Sequence, residues 1–87
     1  MGAAMESSRQ SLTDSERSLL GRAALRDGTA ARVRRLRGWT VDDMARECNV
    51  TTHLLTGWES GTEHPSPASS LKVWEVLVAA CTAPETP

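Results

Sequence analysis

The feature of this 87-residue chain that most restricts its fold is a series of helix start and stop signals, set too close together for any long element. Thr13-Asp14-Ser15-Glu16 reads as a capping box: a hydroxyl serves the free amide of the third helical residue, and a carboxylate reaches back to the cap. Leu19, Leu20, Ala23 and Ala24 recur at helical spacing until Asp27-Gly28 stops the pattern, which predicts a first helix near 14–26. Thr29 caps a predicted second helix, Ala30 to Arg37, with Ala30, Val33 and Leu36 on one face and Gly38 at its end. Thr40 caps a third, whose inward residues are Met44, Ala45 and Cys48; Asp42 and Asp43 in its first turn suit the helix dipole. Asn49 stands where the chain must reverse, and after glycine asparagine tolerates the left-handed conformation best. Thr51 caps a fourth helix, Thr52 to Glu59, with Leu54, Leu55 and Trp58 apolar and Ser60-Gly61 as its stop. After a loop from Thr62 to Ser66, Pro67 opens a fifth, with Leu71, Trp74, Leu77 and Val78 facing inward. No alternating strand pattern of useful length and no internal repeat is present. The expected fold is all-α, a compact bundle of about five short helices.

Apolar residues make up 39% of the chain and charged residues 24%, a globular rather than a disordered composition. A domain this small buries only roughly 60–65% of its unfolded surface. Trp39, Trp58 and Trp74, the only aromatic residues, are therefore expected in the core for their bulk and not as stacking platforms for bases. No apolar run approaches the roughly 20 residues that span a bilayer, so no membrane partner is expected. Met1 to Glu6 lacks a basic flank followed by an apolar stretch, so no signal peptide is expected and the location reads as cytoplasmic. The domain reading is a disordered tail over 1–12, one domain over 13–80, and a frayed tail over 81–87.

The formal net charge of −1 hides an uneven distribution. From Arg22 to Arg46 seven arginines face three aspartates, a net of +4; from Glu47 onward Lys72 faces five glutamates, a net of −4. The basic segment is either a local anion-facing surface or a solvated helix face. Cys48 and Cys81 are too few for a disulfide framework, and with His53 and His64 their spacing matches no zinc module. No glycine-rich phosphate loop, paired-carboxylate cleft or activated nucleophile is apparent. Neither an enzyme, nor a metal, nor a cofactor is expected.

The informative segment is the pair of short helices around Cys48-Asn49-Val50. A turn of about four residues with a left-handed position sets two helices at a steep angle, so that the second can enter a major groove roughly 12 Å wide. Gly38-Trp39-Thr40-Val41-Asp42-Asp43-Met44-Ala45, then Asn49-Val50-Thr51, Trp58-Glu59-Ser60-Gly61 and Pro65 together resemble the Cro/lambda-repressor-like helix-turn-helix family, the XRE type. The likeness covers about Ala30 to Ala79, making 29–80 the family core and 13–27 an added helix. Met44, Asn49 and Thr51 replace the family's leucine, glycine and serine.

The resemblance implies that the helix from Thr52 to Glu59 reads DNA. Thr52, His53 and Gly57 fall at base-reading positions with Thr56 beside them, although Gly57 has no side chain to read with. Leu54 either touches a thymine methyl or packs against the turn. Phosphate contacts are expected from Thr40, Val41, Thr51, Arg37, Arg46 and Ser60, with Arg35 and His64 as supplements. Val41 stands where the family often has glutamine, and Thr62-Glu63-His64 where it often has a basic loop. Arg34 is implied to pair with Glu59, locking the motif's first helix to the end of the reading helix. The implied function is a sequence-specific, double-stranded-DNA-binding regulator, a repressor of phage, prophage or actinobacterial type in the bacterial or host cytoplasm. Such domains usually bind as homodimers on two-fold operators. The alternative is a protein-interaction module on the same fold (an antitoxin, an antirepressor or a small inhibitor), which Gly57, Val41 and Glu63 favour.

Overall fold

The computed structural model, which describes residues 12–82, consists of α1 (Asp14–Asp27), α2 (Thr29–Leu36), α3 (Val41–Cys48), α4 (Thr52–Ser60) and α5 (Pro67–Thr82). No strand occurs among the described residues, and no helix is long and apolar enough to cross a membrane. The expected tail over 1–12 lies outside the described residues except for Leu12, as does 83–87 of the expected tail over 81–87. Cys81 and Thr82 are not tail: they continue α5, and the Thr82 hydroxyl donates to the Val78 carbonyl (2.8 Å) to hold the last turn.

Local chemistry explains most boundaries. Thr13 Oγ1 accepts from the Glu16 amide (3.1 Å) while Glu16 accepts from the Thr13 amide (2.8 Å). Thr40 and Asp43 close the same box on α3 (3.0 and 2.9 Å), and Thr51 accepts from the Leu54 amide (3.1 Å) to cap α4. Asn49 is the one described non-glycine residue at positive φ (61°), and it ends α3. The amide of Val50 then donates to the Ala45 carbonyl (2.9 Å), fixing a tight α3–α4 turn. The start of α2 differs from expectation. Gly28, at φ 89°, both ends α1 and caps α2, and Thr29 is the first helical residue rather than the cap. The Thr29 amide donates instead to Asp27 Oδ1 (2.9 Å), and the hydrogen bonds from Thr29 hold the Asp27 carboxyl below the usual carboxylate range.

The core forms where α1, α3, α4 and α5 converge, with Met44, Leu55 and Val73 fully enclosed and Trp58 and Leu77 beside them. Two expected faces are rotated. On α1 the inward residues are Gly21, Ala24 and Leu25, while Leu19 and Leu20 are 66% and 40% exposed. On α5 they are Ser70, Val73, Val76, Leu77 and Ala80; Leu71 and Trp74 are half-buried and Val78 is exposed. One contact sets both rotations: Gly21 lies so close to α5 that a Cβ there would sit 2.1 Å from the Ser70 carbonyl oxygen. Two small residues let the backbones approach, and the larger side chains turn to the flanks. Leu36 is likewise exposed, at 79%. A three-residue step falls about 60° short of a full turn, so Leu36 is about 120° around α2 from buried Ala30. Of the tryptophans, Trp58 is buried, and Trp39 and Trp74 are only half-buried.

Burial also divides the two thiols. Cys48 is enclosed, and burial, with Glu47 nearby and against the pull of Lys72, pushes its thiol up to about 11; Cys81 is exposed. Alkylation of the folded protein near neutral pH is expected to modify Cys81 alone, with Cys48 reacting only in denaturant. Equal labelling of both thiols in the native state, read by mass spectrometry, would contradict this core.

Candidate functional site

The expected DNA-facing residues gather on α4 and the amino end of α3. Leu55 and Trp58 fix the inner side of α4 in the core, which leaves Thr52, His53 and Thr56 exposed on its outer side. Leu54 is 37% exposed. The turn at Asn49–Thr51 and the Thr51 cap hold the first turn of α4 outward, with Thr51 itself exposed.

Gly57 departs from its expected place. It is buried, and the chain beyond α4 folds back over it: the amides of Thr62 and Glu63 both donate to its carbonyl (3.0 and 3.1 Å). A Cβ at Gly57 would meet Glu63 Cγ at 2.5 Å. Its role is to let α4 end in a tight return, which removes it from the base-reading set. Ser60 joins the same knot, its hydroxyl donating to the Gly57 carbonyl (3.2 Å) beside Thr62 Oγ1. That hydroxyl is therefore engaged at home rather than free for a phosphate.

Arg34 and Glu59 meet across α2 and α4. Arg34 Nε donates to Glu59 Oε2 (3.1 Å), Nη2 to Oε1 (3.2 Å), and Nη1 to the Trp39 carbonyl (3.3 Å). The side chains are only 12% and 15% exposed. A two-pronged guanidinium–carboxylate pair of this kind fixes orientation as well as distance. It ties the far end of α4 to α2 and to the approach to α3, so the outer side of α4 is presented on a braced helix.

At the amino end of α3 the electrostatics are mixed. Thr40 and Thr51 use hydroxyl oxygens as caps; the Thr40 hydroxyl also bonds the Asp43 carboxylate, whereas Thr51 keeps its O–H proton for another acceptor. Val41 is half-buried against the core, so it offers a backbone amide and no polar side chain. Asp42, read from sequence only as a favourable dipole charge, lies between two expected DNA ligands. It pairs with Arg46 and accepts from Thr52 Oγ1 (3.0 Å). Arg46 also approaches Asp43 (3.9 Å), whose carboxyl is held low by the Thr40 hydrogen bonds. The four-residue step from Asp42 to Arg46 is the sequence signal for this pairing. Arg35 and Arg37 are exposed and have no ion-pair partner among the described residues, and His64 is exposed beside Glu63. Among the described residues no three His, Cys, Asp or Glu side chains gather where a metal ion could be held. No family model, curated protein or solved structure matches this chain.

Proposed function

We propose that the protein is a sequence-specific double-stranded-DNA-binding regulator in which α3 and α4 form the helix-turn-helix and α4 enters the major groove. The observation that carries the reading is the outer side of α4. Thr52, His53 and Thr56 stand exposed on one side of a helix that Leu55, Trp58 and the Arg34–Glu59 pair immobilise on the other. Base reading needs polar side chains held on a rigid element, and threonine and imidazole groups supply donors and acceptors for base edges. The free hydroxyl proton of Thr51 and the exposed Arg37, which has no ion-pair partner among the described residues, suit phosphates on either side.

A second reading, a protein-binding module, is favoured by Asp42, which sets a negative charge against Arg46 and Thr52. Magnitudes favour DNA. An exposed ion pair of this kind is worth under about 1 kcal/mol, so Arg46 can leave Asp42 for a phosphate at small cost. The uncancelled carboxylate then weakens, rather than abolishes, backbone affinity. Asp42→Asn is accordingly expected to tighten binding to random duplex about tenfold at low salt and to steepen the salt dependence by about one phosphate contact. Fluorescence anisotropy of a labelled duplex across a salt series measures both. Unchanged affinity and slope, or no binding by either protein, would contradict the proposal.

A further inference from the structure

The tight turn between α3 and α4 brings the amino ends of the two helices together. Asp42 is the second residue of α3 and Thr52 the first of α4, and both are exposed. Thr52 Oγ1 donates to Asp42 Oδ1 (3.0 Å), while Arg46, one turn along α3, takes Asp42 Oδ2. The positive end of α3 also favours a carboxylate in its first turn, so the acceptor is well held.

That contact decides what the Thr52 hydroxyl can offer a base. A free threonine hydroxyl has one proton and two lone pairs, and by rotating it serves donors and acceptors alike. An ionised carboxylate only accepts, so here the proton is committed to Asp42 and Thr52 has lone pairs alone to present outward. Hydrogen bonds to ionised acceptors are roughly twice as strong as neutral ones, so a base carbonyl does not displace this one.

We infer, resting on the reading of α4 as the DNA-reading helix, that Asp42 determines specificity through Thr52. By holding the hydroxyl proton it makes Thr52 an acceptor, and the base beside it must be one with an exocyclic amino group. In the major groove these are adenine, through N6, and cytosine, through N4. A guanine O6 or thymine O4 in the same place would set lone pair against lone pair, with the Asp42 charge behind it. Arg46 is not needed for this: a guanidinium drawn to a phosphate frees Oδ2 and leaves Oδ1 on Thr52. Asp42 is thus a positioning residue, and its effect falls on one base pair of the site.

The test starts from duplexes selected out of a random library by the parent and by Thr52→Val, which keeps the shape and lacks the hydroxyl. The base pair whose preference flattens in Thr52→Val is the one Thr52 reads. Fluorescence anisotropy then compares three duplexes at that pair: the selected one, one with the pair inverted, and one whose amino group is replaced by hydrogen. Inversion puts a carbonyl where the amino group stood, and both changes are expected to weaken parent binding about tenfold. Thr52→Ser keeps the hydroxyl and should keep both losses. Asp42→Ala lets the hydroxyl turn and donate, so the loss on inversion should fall below about threefold. In a Thr52→Val background Asp42→Ala should change neither ratio. Removing a charge alters affinity for every duplex, so the ratios between duplexes are the readout, with melting curves to show that each variant is folded. A motif that Thr52→Val leaves unchanged, an amino group whose removal costs nothing, or an inversion loss that survives Asp42→Ala overturns the inference while α4 still reads DNA. A folded parent that enriches no sequence removes that reading, and the inference with it.

Discussion

Replacing Gly21 with alanine is expected to destabilise the protein by about 2 kcal/mol and to lower its melting temperature by about 10 °C. The sign is the informative part. Glycine inside a helix costs about 1 kcal/mol relative to alanine, so the same change at an open helical position raises stability. At Gly21 the added Cβ would stand 2.1 Å from the Ser70 carbonyl oxygen and 3.2 Å from the Trp74 amide nitrogen, both backbone atoms of α5. Neither atom can move aside alone, so the helices must separate and Ala24, Leu25, Val73 and Leu77 lose contact. Ala23→Gly, on the exposed side of α1, is the matched comparison and should cost only about 1 kcal/mol. Circular dichroism melts of the two variants decide the matter. A Gly21→Ala protein that melts at or above the parent temperature would mean that α1 and α5 are not packed as described.

The second large effect is expected at Arg34. Arg34→Ala removes both bonds to Glu59 and the bond to the Trp39 carbonyl, and leaves a mostly buried carboxylate without a partner. Breaking a buried ion pair from one side costs about 3–5 kcal/mol; with both side chains slightly solvated, about 3 kcal/mol is expected. Replacing both partners by apolar residues of similar volume, Arg34→Met with Glu59→Leu, should recover most of that loss, because no charge is left stranded. Urea denaturation of the two proteins tests this directly. If the double variant is as unstable as Arg34→Ala, the cost lies in lost packing rather than in the unpaired charge. The pair also positions α4, so the double variant should hold its stability better than the DNA specificity proposed for α4.

Most residues that act over one helical turn were readable, Thr29 excepted, whereas of those that act between helices the Arg34–Glu59 pair alone was, and that through the family resemblance. The Thr13–Glu16 and Thr40–Asp43 boxes, the Thr51 cap and the Asn49 reversal are local chemistry, and each has a hydrogen bond or a left-handed φ in the structure. The faces of α1 and α5 escaped because both helices carry apolar residues on more than one side. On α5 the residues from Leu71 to Ala80 are apolar except for Lys72 and Glu75, so periodicity cannot select a stripe. Gly21 held the missing information. A lone glycine inside a helical pattern marks a close backbone approach as readily as a weak point. Gly57 misled for the related reason that its position in a motif was read while its carbonyl was not: the amides of Thr62 and Glu63 need that oxygen, and Glu63 fills the space a side chain would take. At the candidate site the exposure of Thr52, His53 and Thr56 on α4 was legible, and the engagement of Arg46 and Thr52 by Asp42 needed the three-dimensional arrangement of α3 and α4.

The central claim, that α4 reads DNA sequence, is tested most directly by selecting bound duplexes from a random library at about 150 mM salt, near physiological ionic strength. An enriched motif is expected, with half-sites of about four to five base pairs and, where two copies bind together, a two-fold relation between half-sites roughly 10 base pairs apart. His53→Ala should lose about 1–3 kcal/mol of preference for that motif while holding random DNA as before. Folded protein that enriches no sequence at all would contradict the claim and leave the outer side of α4 to a protein partner.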